Sequence, residues 1–81
     1  MAIFYSKFPV FSTRMIQARN NLGYSVKEVA KAMGFPVRII EEYEEGVLSP
    51  DVIVLSKIAL LYKVSSDFLI GLDDEPEQGR G

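Results

Sequence analysis

Apolar residues recur three and four positions apart in short runs along this chain, and each run is bounded by residues suited to starting or stopping a helix. Five helices are predicted. The first opens at Ser12 and runs through Arg14 and Arg19 to about Asn21, with Met15, Ala18 and Leu22 as its inner stripe and Gly23 supplying the left-handed end. The second opens on Ser25-Val26-Lys27-Glu28, a capping box in which the serine oxygen takes the Glu28 amide and the glutamate reaches back to the serine amide. Tyr24 and Val29 are its staple, Val29, Ala30 and Met33 its buried face, and Gly34 its stop. Only Phe35 and Pro36 then precede a third run, Val37 to Glu45, which places Ile40 and Tyr43 on one face. Gly46 ends it. For the fourth helix Ser49 is the expected cap, with Pro50 and Asp51 in the first turn and Leu48 stapled to Ile53. Val52, Leu55, Ile58, Ala59 and Tyr62 recur at helical spacing in what is expected to be the longest helix. A short fifth helix, Ser65 to Ile70, is capped by Ser65 and stopped by Gly71.

The two ends do not follow this periodicity. Residues 1–11 are mostly apolar, including Phe4, Tyr5, Phe8 and Phe11, and Pro9 interrupts a helix, so an extended arm is expected. Four aromatic rings on a free arm would form an exposed apolar patch, so the arm packs either on its own core or on a second protomer. Residues 72–81 are acidic and contain proline and glycine, and are expected to be disordered. Residues 12–71 make the folded domain.

Eighty-one residues with 48% apolar and 25% charged composition suffice for one modest core. With no cysteine and no histidine, neither a disulfide nor a zinc site is expected to reinforce it. The same absence, together with the lack of a glycine-rich phosphate loop, argues against an enzyme, and no cofactor or metal is expected. Apolar stretches such as Ile58 to Tyr62 fall far below the roughly 18 residues of a membrane span, and the N-terminus has no basic secretory n-region. The expectation is a cytoplasmic protein with no membrane partner. Net charge is −2, but Asp73, Asp74, Glu75 and Glu77 lie in the tail, leaving eight bases against seven acids in residues 1–71. A nearly neutral body weakens a nucleic-acid reading without excluding it, because the placement of the bases decides.

Two short helices joined by a glycine-containing turn fit a helix-turn-helix, and spacing alone fits a generic helical bundle equally well. The residues add to this. Ser25-Val-Lys-Glu-Val-Ala-Lys-Ala-Met-Gly34, Ile40-Glu-Glu-Tyr-Glu-Glu-Gly46, Ser49-Pro50 and Val64-Ser-Ser-Asp-Phe-Leu-Ile-Gly71 together resemble the lambda-repressor-like (Cro/cI, Xre-type) family over residues 12–71. The resemblance implies an all-α, five-helix DNA-binding domain that reads double-stranded DNA as a homodimer. It places base-reading positions at Val37, Arg38 and Glu42, and a partly buried ion pair between Arg19 and Glu44. Arginine can grip guanine O6 and N7, a glutamate can accept from cytosine N4, and valine can meet a thymine methyl. The plain alternative for Arg38 is a solvated side chain paired with Glu41 or Glu42. Val26 stands where the family commonly has a glutamine, and the loop Gly46 to Pro50 carries no base. Arg14, Lys27 and Lys31 remain as DNA-backbone contacts. The competing function is a protein-interaction module that kept the fold and lost DNA, with Val37, Ile39 and the aromatic arm facing a protein partner.

Overall fold

The computed structural model describes residues 8–77, in which the five expected helices follow one another as α1 (Pro9–Leu22), α2 (Val26–Met33), α3 (Val37–Glu45), α4 (Val52–Tyr62) and α5 (Ser66–Ile70). The local chemistry explains most boundaries. Both halves of the Ser25–Glu28 capping box form: the Glu28 amide donates to Ser25 Oγ at 3.0 Å and the Ser25 amide donates to Glu28 Oε1 at 2.8 Å. The bounds of α3 are those expected, and Ser65 caps α5 by accepting from the Phe68 amide.

The first helix begins three residues early. Pro9 occupies its first turn, where a fixed φ favours the helix and a missing N–H breaks no bond, so the proline starts the helix it was expected to interrupt. The extended arm expected over 1–11 is thereby corrected for residues 9–11, and residues 1–7 lie outside the described residues. Phe11 enters the protein's own core and meets the Tyr43 ring edge to face at 6.3 Å. Ser12 is not a cap: it is buried and its hydroxyl donates to the Glu44 carbonyl at 2.7 Å, satisfying an orphan acceptor at the end of α3. Leu22, expected inside, lies at the surface with 36% of its area exposed.

Three further corrections concern α4 and the tail. Asp51, not Ser49, caps α4, with its carboxylate accepting the Val54 amide at 2.8 Å. That start leaves Val52 and Ile53 exposed, so the Leu48–Ile53 staple is replaced by Pro50 and Leu55, which line one apolar groove with Phe8 and Ile70. At 14 residues α1 exceeds the 11 of α4 and is the longest helix. The disorder expected over 72–81 is corrected where the tail docks: the Leu72 and Asp73 amides donate to the Asp67 carbonyl, and the Ser65 amide donates to the Pro76 carbonyl at 2.9 Å, while residues 78–81 lie outside the described residues.

Met15, Ile40, Ile58 and Leu69 are fully buried, one each from α1, α3, α4 and α5. Each such side chain contributes about 1.5–3 kcal/mol relative to exposure, which makes their meeting point the centre of the core. Helix α1 runs through it, packing against α3, α4 and α5, while α2 packs on α3. Gly71 must stay small as well as left-handed: its φ is +88°, and a Cβ there would lie 2.9 Å from Val10 Cγ1.

Candidate nucleic-acid interface

The turn between α2 and α3 is built from Gly34, Phe35 and Pro36. Gly34 has φ +72°, a value that costs a side-chain-bearing residue about 1 kcal/mol or more, and the Phe35 amide donates back to the Ala30 carbonyl at 2.9 Å. Pro36 then fixes the entry into α3 and offers no side-chain cap, so the first amides of that helix receive no side-chain oxygen. With Ile40 and Tyr43 held in the core, Arg38, Glu41 and Glu45 turn to solvent while Val37, Ile39 and Glu42 lie at the half-buried margin.

Arg38 is 84% exposed, and its Nε sits 3.9 Å from Glu42 Oε2 one turn along. A surface pair of that length contributes a few tenths of a kcal/mol, too little to stop Arg38 from reaching another partner. On α2, Lys27 and Lys31 are both exposed and four residues apart on one face, with no ion pair to either among the described residues. The Glu28 pKa is lowered from its ordinary value chiefly by the hydrogen bond its carboxylate accepts from the Ser25 amide, with the Ser25 side chain adding to the shift.

Arg14, expected among the DNA-backbone contacts, is committed elsewhere. Its Nη1 donates to the carbonyls of Phe68 and Asp73, each at 2.7 Å, its Nη2 reaches Asp74 Oδ1 at 3.0 Å, and its guanidinium lies 4.4 Å from the centre of the Phe68 ring. These bonds set Arg14 apart from the exposed lysines of α2. Nothing local in the sequence signals this, because its partners lie 54 to 60 residues away.

The ion pair between Arg19 and Glu44 is present: Nε donates to Oε2 at 2.6 Å, Nη2 to Oε1 at 3.0 Å, and Nη1 caps the Tyr24 carbonyl at 2.8 Å. Its hydrogen bonds to Glu44 raise the Arg19 pKa against the opposing cost of burial. This bridge ties α1 to the last turn of α3 and so sets the angle at which α3 is presented. Nearby, burial pushes the Tyr62 phenol well above its ordinary pKa, with Glu44 adding to the shift, and its hydroxyl has no hydrogen-bond partner among the described residues.

A helix-turn-helix family model matches residues 15–69, a span that includes both α2 and α3. The chain belongs to this helix-turn-helix family. It is 36% identical over 61 residues to the HTH-type transcriptional regulator ImmR of Bacillus subtilis (strain 168), covering 75% of this chain and 48% of that protein. It is 33% identical over 61 residues to a second protein of that strain, the SPbeta prophage-derived uncharacterized HTH-type transcriptional regulator YonR, covering 75% of this chain and 56% of that one. The chain therefore spans about half the length of the curated relatives it matches. Within the described residues of this helix-turn-helix protein no helix is long and apolar enough to cross a membrane, and no group of three or more His, Cys, Asp or Glu side chains could hold a metal ion.

Proposed function

We propose that this helix-turn-helix protein is a sequence-specific DNA-binding transcriptional regulator of the cytoplasm that works as a homodimer on a two-fold symmetric site. The observation that carries the reading is an exposed Arg38 on α3 together with exposed Lys27 and Lys31 on α2, the helix packed against it, in a chain of this family. In this reading α3 enters the major groove and α2 crosses the backbone. Arg38 leaves its long contact with Glu42 to hold guanine O6 and N7 with two parallel hydrogen bonds, discriminating by about 1–3 kcal/mol. Glu42 then accepts from cytosine N4, and Val37 covers a thymine methyl. Lys27 and Lys31 neutralise phosphates, helped by the uncapped amides at the start of α3.

Glu41, Glu42 and Glu45 oppose a polyanion, so affinity for arbitrary duplex is low and discrimination comes from the bases. With two lysines per protomer, the slope of log K against log salt is about −4 for a dimer, at about −0.9 per phosphate. The test is selection of bound sequences from a randomised duplex library at about 50 mM salt, where a few phosphate contacts still register. An enriched two-fold symmetric motif that Arg38→Ala abolishes is the expected result. No enrichment and no retained duplex would overturn the reading and direct the search to a protein partner of α3.

A further inference from the structure

A groove with apolar walls lies where the start of α1 meets the loop before α4 and the end of α5. Phe8 and Val10 line it together with Pro50, Leu55 and Ile70, and Ser49 is the one polar side chain in its lining. Its volume is about 210 Å³. That is below the roughly 300–1,000 Å³ of small-molecule sites, yet above the roughly 150 Å³ in which an apolar cavity holds a benzene ring. Phe8, Val10 and Ile70 are 37%, 46% and 45% exposed, so the described residues leave its walls open. No charged side chain lines it, and an ionic occupant would lose its hydration there without gaining a partner. An aromatic side chain suits this space better than a cofactor or a charged ligand.

Two stretches of the chain lie outside the described residues, and only one of them has suitable chemistry. Residues 78–81 are Gln-Gly-Arg-Gly, with no apolar side chain to offer. Residues 1–7 are Met-Ala-Ile-Phe-Tyr-Ser-Lys, five apolar residues in succession, and they join directly to Phe8, itself part of the groove lining. The point of entry is fixed, because the Phe8 amide donates to the Gly46 carbonyl at 3.2 Å, at the head of the loop that carries Ser49 and Pro50. Four residues of chain reach at most about 14 Å, so the Phe4 ring is tethered within range of the groove. A tether this short gives an effective concentration of about millimolar, which a ring supplied by another molecule must exceed to displace it. Between the two rings, Phe4 brings no polar atom, whereas the Tyr5 hydroxyl would need a partner that the apolar walls lack.

We infer that this groove is the seat of the chain's own N-terminal segment, with the Phe4 ring lodged against Val10, Leu55 and Ile70. The segment then completes the fold of its own protomer and is withdrawn from any surface offered to a protein partner. The inference does not depend on the DNA reading.

The chain contains no tryptophan, so Phe4→Trp places a single reporter in the segment of the full-length protein. Its fluorescence is expected to be blue-shifted and several-fold less quenched by iodide than in the urea-unfolded protein, and to stay so across about a hundredfold dilution. Ile70→Glu, which puts a charge into the groove wall, is expected to return emission and quenching to the unfolded values while the helical circular-dichroism signal persists. A second measurement needs no reporter. Phe4→Ser is expected to lower the melting temperature by about 4–8 °C in the wild-type background and by much less in Ile70→Glu, because residues in contact are energetically coupled. A tryptophan at position 4 quenched as in the unfolded chain, with Phe4→Ser melting like wild type, would overturn the inference. Protection that vanishes on dilution would overturn it too, assigning the groove to the segment of a second copy. So would protection that survives Ile70→Glu in a folded protein, which would seat the segment elsewhere.

Discussion

Arg19 grips Glu44 with two parallel hydrogen bonds across 25 residues of sequence, and a third bond from the same guanidinium closes the turn at Tyr24. Both side chains are largely buried. Removing one partner would leave the other charged and desolvated, so Arg19→Ala is expected to cost about 3 kcal/mol. For a domain of this size that lowers the melting temperature by roughly 12–24 °C, readable by circular dichroism. An unchanged melting temperature would show that the bridge positions α3 without holding the fold together.

Tyr62 offers the opposite case. Its ring is deep in the core while its hydroxyl has no partner among the described residues, and a buried donor left unmade costs about 1–3 kcal/mol. Tyr62→Phe keeps the packing and removes the orphan, so urea denaturation is expected to give a stability equal to wild type or higher by about 1 kcal/mol. A loss of 1 kcal/mol or more would mean that the hydroxyl is satisfied in solution.

Acid should act on the start of α2. Hydrogen bonding to Ser25, first its backbone amide, lowers the folded-state pKa of Glu28 from its ordinary value. The contribution is therefore present above the ordinary, unfolded value and is lost as pH falls through the lower, folded value. Glu28→Gln preserves a capping-box partner that does not titrate. Melting temperature followed from pH 7 down to about pH 3 is expected to fall less steeply in Glu28→Gln than in wild type.

Arg14→Gln separates a structural latch from a phosphate contact. Loss of its bonds to Phe68, Asp73 and Asp74 is expected to destabilise the tail by about 1–3 kcal/mol and to speed amide exchange at Ser65, Leu72 and Asp73. The salt slope of DNA binding should not change. A slope reduced by about 0.9 per protomer would return Arg14 to the DNA surface.

What could be read in advance was mostly what neighbouring residues decide. The capping box at Ser25 and the bounds of α3 follow from side chains three or four positions apart, and the Arg19–Glu44 bridge was legible through family resemblance. The start of α1 departs from expectation because proline is ambiguous: it breaks a helix from within but begins one at the first turn. Ser49 and Asp51 both have capping side chains, and only the fold decides between them. Helix α4 has apolar residues all round, so periodicity does not say which of them face inward, and Val52, expected inside, is exposed in the first turn. For the candidate interface, the exposure of Lys27, Lys31 and Arg38 fits what their types suggested, whereas the role of Arg14 depends on a tail that no local pattern connects to α1.

The polar arms of α1 also say something about how the chain acquires its shape. Ser12, Arg14 and Arg19 find their partners 32, 54 to 60, and 25 residues downstream. On a ribosome, α1 would thus be made well before it is locked, waiting for Asp73 and Asp74 to emerge before Arg14 is satisfied. Contacts that span so much of the chain slow folding and make it cooperative, so a nascent protein stopped after α3 would hold α1 without the core that defines its position.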